Sequence, residues 1–161
     1  MERALRRAAT VMVLALLTLG STAGESHAGK LTKIKDVKFT VAGLDEGAKA
    51  CGLTEERLQS SFLDPLKGSG VKVVESSDYF FYIRATTVRF VTEYCLTYVN
   101  AELLLGQRYF NPATNNDLWG LIRVWFSGSL VTTGWEEHPA EVYRAFHALG
   151  DSFLKAWKQD Q

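Results

Sequence analysis

The sequence has few of the residues that most catalytic and metal-binding motifs require. Its 161 residues include two cysteines and three histidines. They contain no C-x-x-C or H-E-x-x-H spacing of the kind that holds zinc, and no G-x-S-x-G segment that would carry a nucleophilic serine. Internal repeats and low-complexity tracts are also missing. We therefore predict one globular domain with no catalytic residue, metal ligand or cofactor.

The sequence also lacks an excess of either charge. Lysines and arginines together number 18, and so do aspartates and glutamates. Residues 1–28 contain three arginines and two glutamates, so the rest of the chain carries a net charge of −1. Such a balance gives no electrostatic basis for binding nucleic acid or an anionic membrane.

No apolar run is long enough for a comfortable membrane span. The apolar segment at residues 8–19 has 12 residues, whereas a spanning helix needs about 20. It follows the basic start MERALRR and precedes small residues, a pattern typical of a secretory signal peptide. We expect cleavage before Gly29, with a second potential site after Ala23; an uncleaved anchor is the alternative. The prediction is a signal peptide at 1–28 and a single exported domain at 29–161, periplasmic or secreted, with no integral membrane span.

Apolar periodicity predicts the element order β-α-β-β-β-α. Alternation indicates strands at 37–41, 71–74, 79–91, 92–110 and 118–133, of which 71–74 and 79–91 are joined or successive. Thr54 is a suitable N-cap for a helix with an apolar stripe at Leu58, Phe62 and Leu66. A second helix begins near Pro139, with apolar residues at 142, 146, 149 and 153.

These elements predict an α+β fold with two layers. Consecutive strands with short connections are usually antiparallel neighbours. Two amphipathic helices must bury their stripes, and one face of the antiparallel sheet can receive both. The element order resembles that of small α+β domains in envelope accessory proteins of Gram-negative bacteria, including some outer-membrane assembly lipoproteins, although this chain lacks their lipidated cysteine.

Alternation along the strands places aromatic and arginine side chains on the sheet face that the helices leave uncovered. Tyr, Trp and Arg are enriched where proteins bind one another. The predicted partner-binding residues are Tyr82, Arg84, Tyr94, Leu96, Tyr98, Trp119, Arg123 and Trp125. The competing interpretation is that loops, the N-terminal segment or a bend of the sheet covers this face. A register error of one residue would reverse the assignment of faces.

The two cysteines, Cys51 and Cys95, predict a disulfide. Exported proteins occupy compartments in which disulfides persist, and two cysteines allow only one intramolecular pairing. The bond would connect the start of the first long helix to a strand. The alternatives are two buried thiols or a redox pair.

The sequence therefore predicts an exported, non-enzymatic envelope protein that binds a protein partner or self-associates through an aromatic sheet face. One alternative is a small carrier of hydrophobic ligands. Another is a metal-dependent enzyme that uses His138 and His147, the two histidines beyond the predicted signal peptide. We expect His138 to lie at an exposed helix start and His147 to be partly buried.

Overall fold

A computed structural model describes residues 31–90 and 93–160 of the chain. The predicted signal peptide and its cleavage site lie outside these residues, as do positions 91 and 92, which the sequence assigned to strands. A short 3₁₀ turn, Leu31–Lys33, precedes five strands and three helices. The strands are β1 (Asp36–Val41), β2 (Lys72–Val73), β3 (Tyr79–Phe90), β4 (Tyr94–Asn111) and β5 (Asn116–Gly134). The helices are α1 (Glu46–Ala50), α2 (Glu55–Leu63) and α3 (His138–Gln159).

The predicted α+β fold and element order are confirmed, but the sheet is mixed instead of wholly antiparallel. Its strand order is β2-β1-β3-β4-β5. β1 runs parallel to both β2 and β3, whereas β3, β4 and β5 form an antiparallel meander. The parallel pairing arises because α1 and α2 connect β1 to the next strands and return the chain to the same end of the sheet.

A β-bulge in the β4–β5 pair changes which face the second half of β5 presents. Leu103 pairs with Trp125, but the next residue, Leu104, pairs with Arg123, so Val124 has no opposite residue. One extra residue reverses the alternation of side chains. Trp125 therefore lies on the face that carries the helices, while Arg123 lies on the opposite face.

Both long helices pack on the sheet through an aromatic cluster. The Phe81 ring of β3 lies 5.0 Å from Phe62 of α2 and 4.7 Å from Phe153 of α3, between ring centroids. Trp125 meets Phe153 at 5.4 Å. These rings are all fully buried and meet at steep angles, the edge-to-face arrangement that aromatic pairs prefer. The cluster is the centre of the core.

The predicted disulfide is present in the structure. Cys51, directly after α1, is bonded to Cys95 near the start of β4, with a Cα–Cα distance of 6.3 Å. Both residues are fully buried. The bond joins the end of the short helix α1 to the start of β4. The predicted N-cap is also present, since the Thr54 hydroxyl accepts from the Arg57 backbone N–H.

Among residues 31–90 and 93–160, no helix is both long enough and apolar enough to cross a membrane.

Candidate functional site

The sheet face opposite the helices, called here the open face, carries seven of the eight predicted partner-binding residues. The strand register places these seven on the same side of β3, β4 and β5. They are Tyr82, Arg84, Tyr94, Leu96, Tyr98, Trp119 and Arg123. The predicted face assignment therefore holds for β3, for β4 and for β5 up to the bulge.

Trp125 does not belong to this surface, and its predicted exposure on the open face is wrong. Its side chain is fully buried among the rings of the aromatic cluster. The bulge at Leu103/Leu104 is the cause, because it shifts Trp125 to the helix-covered face. In a strand that contains a bulge, residues at alternate positions change face at the bulge. A prediction that assumes strict alternation is therefore wrong beyond that point.

The centre of the open face is polar and internally paired. The Glu102 carboxylate accepts from Arg123 Nε at 2.9 Å and from Asn100 Nδ2 at 3.2 Å. Arg84 donates to the Tyr82 hydroxyl at 3.3 Å, and this hydrogen bond raises the pKa of Arg84 above its already high value. This polar centre divides the exposed apolar residues of the open face into two groups at opposite ends.

The first group, the strand-end patch, lies where β3 and β4 meet near residue 90. Its members are partly exposed apolar side chains on the open face, namely Val88, Phe90, Tyr94, Tyr98 and Leu130. They pair with one another across the strands, as in Phe90 with Tyr94 and Tyr98 with Leu130. The predicted Tyr94 and Tyr98 belong to this patch.

The second group lies on a two-stranded extension of the sheet, called here the hairpin arm (residues 106–123). β3 begins at Tyr79, opposite Leu105, so beyond this point β4 has no β3 residue opposite it. Six large apolar side chains of the arm are between 37% and 62% exposed. Phe110, Trp119 and Leu121 point to the open face; Tyr109, Leu118 and Ile122 point to the other. Both faces of the arm are therefore apolar and accessible.

Two aromatic rings stiffen the arm by lying across glycines of the facing strand. A Cβ placed on Gly106 would come within 2.5 Å of the Trp119 ring, and one on Gly120 within 2.6 Å of the Tyr109 ring. Only glycine permits such close contact of an aromatic ring with the backbone. Tyr109 was not among the predicted site residues, although the alternation of apolar residues around the turn at 111–117 could have indicated it.

The strand-end patch and the hairpin arm are far apart on the sheet. Ten residues of β4 separate Tyr98 from Arg108, the residue that pairs with Trp119. At about 3.3 Å per residue this corresponds to roughly 33 Å. A small ligand could not contact both groups, so they are separate surfaces.

His138 differs from its prediction, because it is fully buried. Its Nε2 lies 2.6 Å from the Thr97 hydroxyl, and its Nδ1 lies 2.9 Å from the Thr133 hydroxyl. Thr97 in turn contacts the Thr87 hydroxyl at 2.7 Å. Burial lowers the pKa of His138, since the charged imidazolium is poorly solvated there. The ring thus connects the start of α3 to three strands as a neutral side chain.

We expect this burial to make the fold less stable below about pH 6.5. The pKa of His138 is lowered in the folded state, so between that pKa and the ordinary value of about 6.5 the unfolded chain binds more protons. The stabilisation is complete above pH 6.5 and is lost as the pH falls, by at most about 1.4 kcal/mol per pH unit. Urea unfolding between pH 7.5 and 5 measures this slope.

The test variant is His138→Gln, which should reduce the slope because it removes the buried imidazole. Equal slopes in the wild type and in His138→Gln would contradict the assignment.

The structure does not bring His138 and His147 together. They are nine residues apart on α3, which places them on opposite sides of the helix. His147 is 46% exposed, contrary to its predicted partial burial, and lies near Asp151 and Asp64 at 3.2 and 3.8 Å. In the part of the chain that the structure describes, no three His, Cys, Asp or Glu side chains are grouped to hold a metal ion. The metal-dependent alternative thus has no assembled site among these residues.

A groove between α2 and α3 bears on the alternative of a hydrophobic-ligand carrier. It is open to solvent, and most of its lining side chains are polar or charged: Ser60, Ser61, Asp64, Lys67, Tyr143, Arg144 and His147. An apolar ligand is normally bound in a pocket that encloses most of its surface, which this open groove does not do.

Within residues 31–90 and 93–160, the fold and its exposed residues define a small, disulfide-bonded α+β domain with an uncovered sheet face and a projecting apolar hairpin. No protein-family model matches the chain, and no curated protein matches it in sequence.

Two solved structures with similar chain paths illustrate how distant the similarity is. A PelC dodecamer from Paraburkholderia phytofirmans is 12% identical, with a TM-score of 0.49, over 78% of this chain and 91% of that one. A minor lipoprotein from Acinetobacter baumannii is 9% identical, with a TM-score of 0.35, over 79% of this chain and 96% of that one. At these scores neither likeness establishes a role for this protein.

Proposed function

We propose that this chain is an exported, non-enzymatic envelope protein that binds a protein partner through its hairpin arm. Export is supported by the leader pattern at residues 1–28 and by the buried disulfide, since disulfides persist mainly outside the cytosol. The same two features favour the periplasm or the extracellular medium as its location.

The observation that carries the binding proposal is the exposure of large apolar side chains on both faces of the arm. An isolated two-stranded hairpin is marginally stable in water and normally needs a third strand or a packed face. Here Trp119 is 62% exposed and Phe110 is 59% exposed, on an extension that protrudes from the rest of the sheet. Contiguous exposed apolar surface of this kind is uncommon on monomers and usually marks an interaction site.

The arm is a better contact surface than the strand-end patch. Its apolar residues occupy both faces, whereas those of the patch occupy one. Its rings are also held in place by the glycine contacts of Trp119 and Tyr109, so little side-chain freedom would be lost on binding. Arg108, which pairs with Trp119, adds a charged residue of a type enriched in binding sites.

A photocrosslinking residue in the exported protein tests this function in the native host. Placed at Leu118 or Leu121, it should give a crosslinked adduct, because both side chains would lie inside the interface. The matched control is Val73 on the opposite edge strand, which is 47% exposed and should give no adduct.

Two outcomes would contradict the proposal. One is the absence of an adduct from both arm positions. The other is recovery of the chain from the cytosol with residues 1–28 still attached, which would contradict export.

A further inference from the structure

The β5 strand forms one edge of the sheet along its whole length. Among the residues that the structure describes, β4 is its only neighbour in the sheet, so about half of its backbone N–H and C=O groups point away from the sheet. Its 19 residues contain no proline and no lysine, the residues that commonly protect an edge strand from pairing. The segment before the bulge, residues 116–123, therefore offers an apolar edge of the kind that another strand can join.

The arm segment of β5 is complementary to itself in the antiparallel direction. Residues 117–123 read Asp-Leu-Trp-Gly-Leu-Ile-Arg, with opposite charges at the ends and apolar residues around a central glycine. If two copies pair about Gly120, Asp117 lies opposite Arg123 of the second copy. By the same geometry Leu118 of one copy faces Ile122 of the other, and Trp119 of one copy faces Leu121 of the other.

The faces of the arm agree with this pairing. Directly opposite residues in an antiparallel pair project to the same face. Asp117, Trp119, Leu121 and Arg123 all lie on the open face, and Leu118 and Ile122 lie on the other. Moving the centre by one residue would instead place Asp117 opposite Leu121 or Trp125 and leave both charges unpaired across the junction. Pairing centred on Gly120 is therefore the register that charge pairing and apolar pairing both favour.

Arg123 can pair with Asp117 of the second copy while keeping its ion pair with Glu102. It uses Nε to bind Glu102, and its side chain remains 56% exposed. A guanidinium has five N–H donors, so its terminal nitrogens are available for a second carboxylate. Asp117 is likewise exposed.

We propose that the partner of the hairpin arm is a second copy of this chain, joined through antiparallel pairing of the two β5 strands about a two-fold axis at Gly120. This inference rests on the proposed function and specifies its partner. The pairing is isologous, so it closes as a dimer and covers residues 116–124 of both β5 edges at once. The two sheets then form one continuous sheet across the junction.

Cysteine crosslinking tests the register directly. Opposite residues in an antiparallel pair have Cα atoms about 4.5–5.5 Å apart, within the roughly 4.4–6.8 Å over which a disulfide can form. A mixture of Leu118→Cys and Ile122→Cys proteins should give a covalent heterodimer on mild oxidation. Each variant alone should give far less, because residues four apart along the strand are separated by about 13 Å. The native cysteines do not interfere, since they are bonded to each other.

Charge reversal tests the energetics of the same junction. Asp117→Arg and Arg123→Asp should each weaken dimerisation, measured by sedimentation equilibrium, by about tenfold or more, because symmetry creates the like-charge pair twice. The double variant should recover part of the lost affinity. Circular dichroism shows whether each variant retains its fold.

The outcomes separate this inference from the proposed function. A wild-type chain that stays monomeric at all concentrations, or crosslinking of the single-cysteine variants as strong as that of the mixture, would overturn the Gly120 dimer. A host adduct from Leu118 whose mass is not twice that of the chain would also overturn it while supporting the proposed function with another partner. A covalent Leu118–Ile122 heterodimer together with a double-mass host adduct would support both.

Discussion

Replacing Phe81 with alanine should lower the free energy of unfolding by about 3–5 kcal/mol, the range for a large aromatic side chain removed from a core. Phe81 is fully buried, and its ring contacts Phe62, Phe153 and Trp125. The substitution therefore removes the ring through which α2, α3 and the sheet meet. No neighbour is flexible enough to fill the space without losing its own contacts.

Urea unfolding of the oxidised protein measures this effect. Phe90→Ala on the same strand is the matched control, since Phe90 is 51% exposed and its truncation should change stability by no more than about 0.5 kcal/mol. Equal losses for the two variants would show that Phe81 is not at the centre of the core.

Removing the disulfide should destabilise the protein by a similar amount. The bond links residues that are 44 positions apart. For a loop of this length the chain-entropy model gives about 4 kcal/mol. In a domain of this size such a loss corresponds to a fall in Tm of roughly 10 °C. We expect Cys51→Ala/Cys95→Ala to show this loss, with the α+β fold retained because the aromatic cluster is intact.

Reduction of the wild type gives an independent measurement of the same quantity. A reducing agent should lower the wild-type stability towards that of the double variant and should leave the double variant unchanged. Identical unfolding midpoints for the wild type with and without reductant would contradict a structural role for the bond.

The element order could be predicted because periodicity reports which residues are buried. Leu58 and Phe62 are buried on α2, and Val142, Phe146, Leu149 and Phe153 are buried on α3, as their helical spacing predicts. β3 likewise alternates between buried and exposed positions around Ile83. Local patterns of this kind depend only on helix and strand geometry.

The faces of β5 could not be predicted completely. Alternation was correct for Trp119 and Arg123 but wrong for Trp125, because the bulge inserts one residue into the pairing with β4. Nothing in the local sequence indicates where two strands separated by a turn lose register. The burial of Trp125 is decided by the fit of its ring against Phe81 and Phe153.

The environment of His138 also depended on residues that are distant in sequence. Thr97 is 41 positions away on β4 and Thr133 lies on β5, so the two hydroxyls that contact the imidazole come together only when β4, β5 and α3 pack. The sequence predicted that His138 lies at an exposed helix start. Tertiary packing reversed that expectation.

The sequence by itself determined the α+β class, the element order and the only possible cysteine pairing, because periodicity and cysteine count are local properties or simple totals. Tertiary structure alone decided the parallel β1–β3 pair, the burial of Trp125 and His138, and the extension of β4 and β5 beyond β3. These features depend on how strands of unequal length are aligned in space. The apolar segment around Gly120 was visible in the sequence, but its position on a free edge became clear only from the strand order.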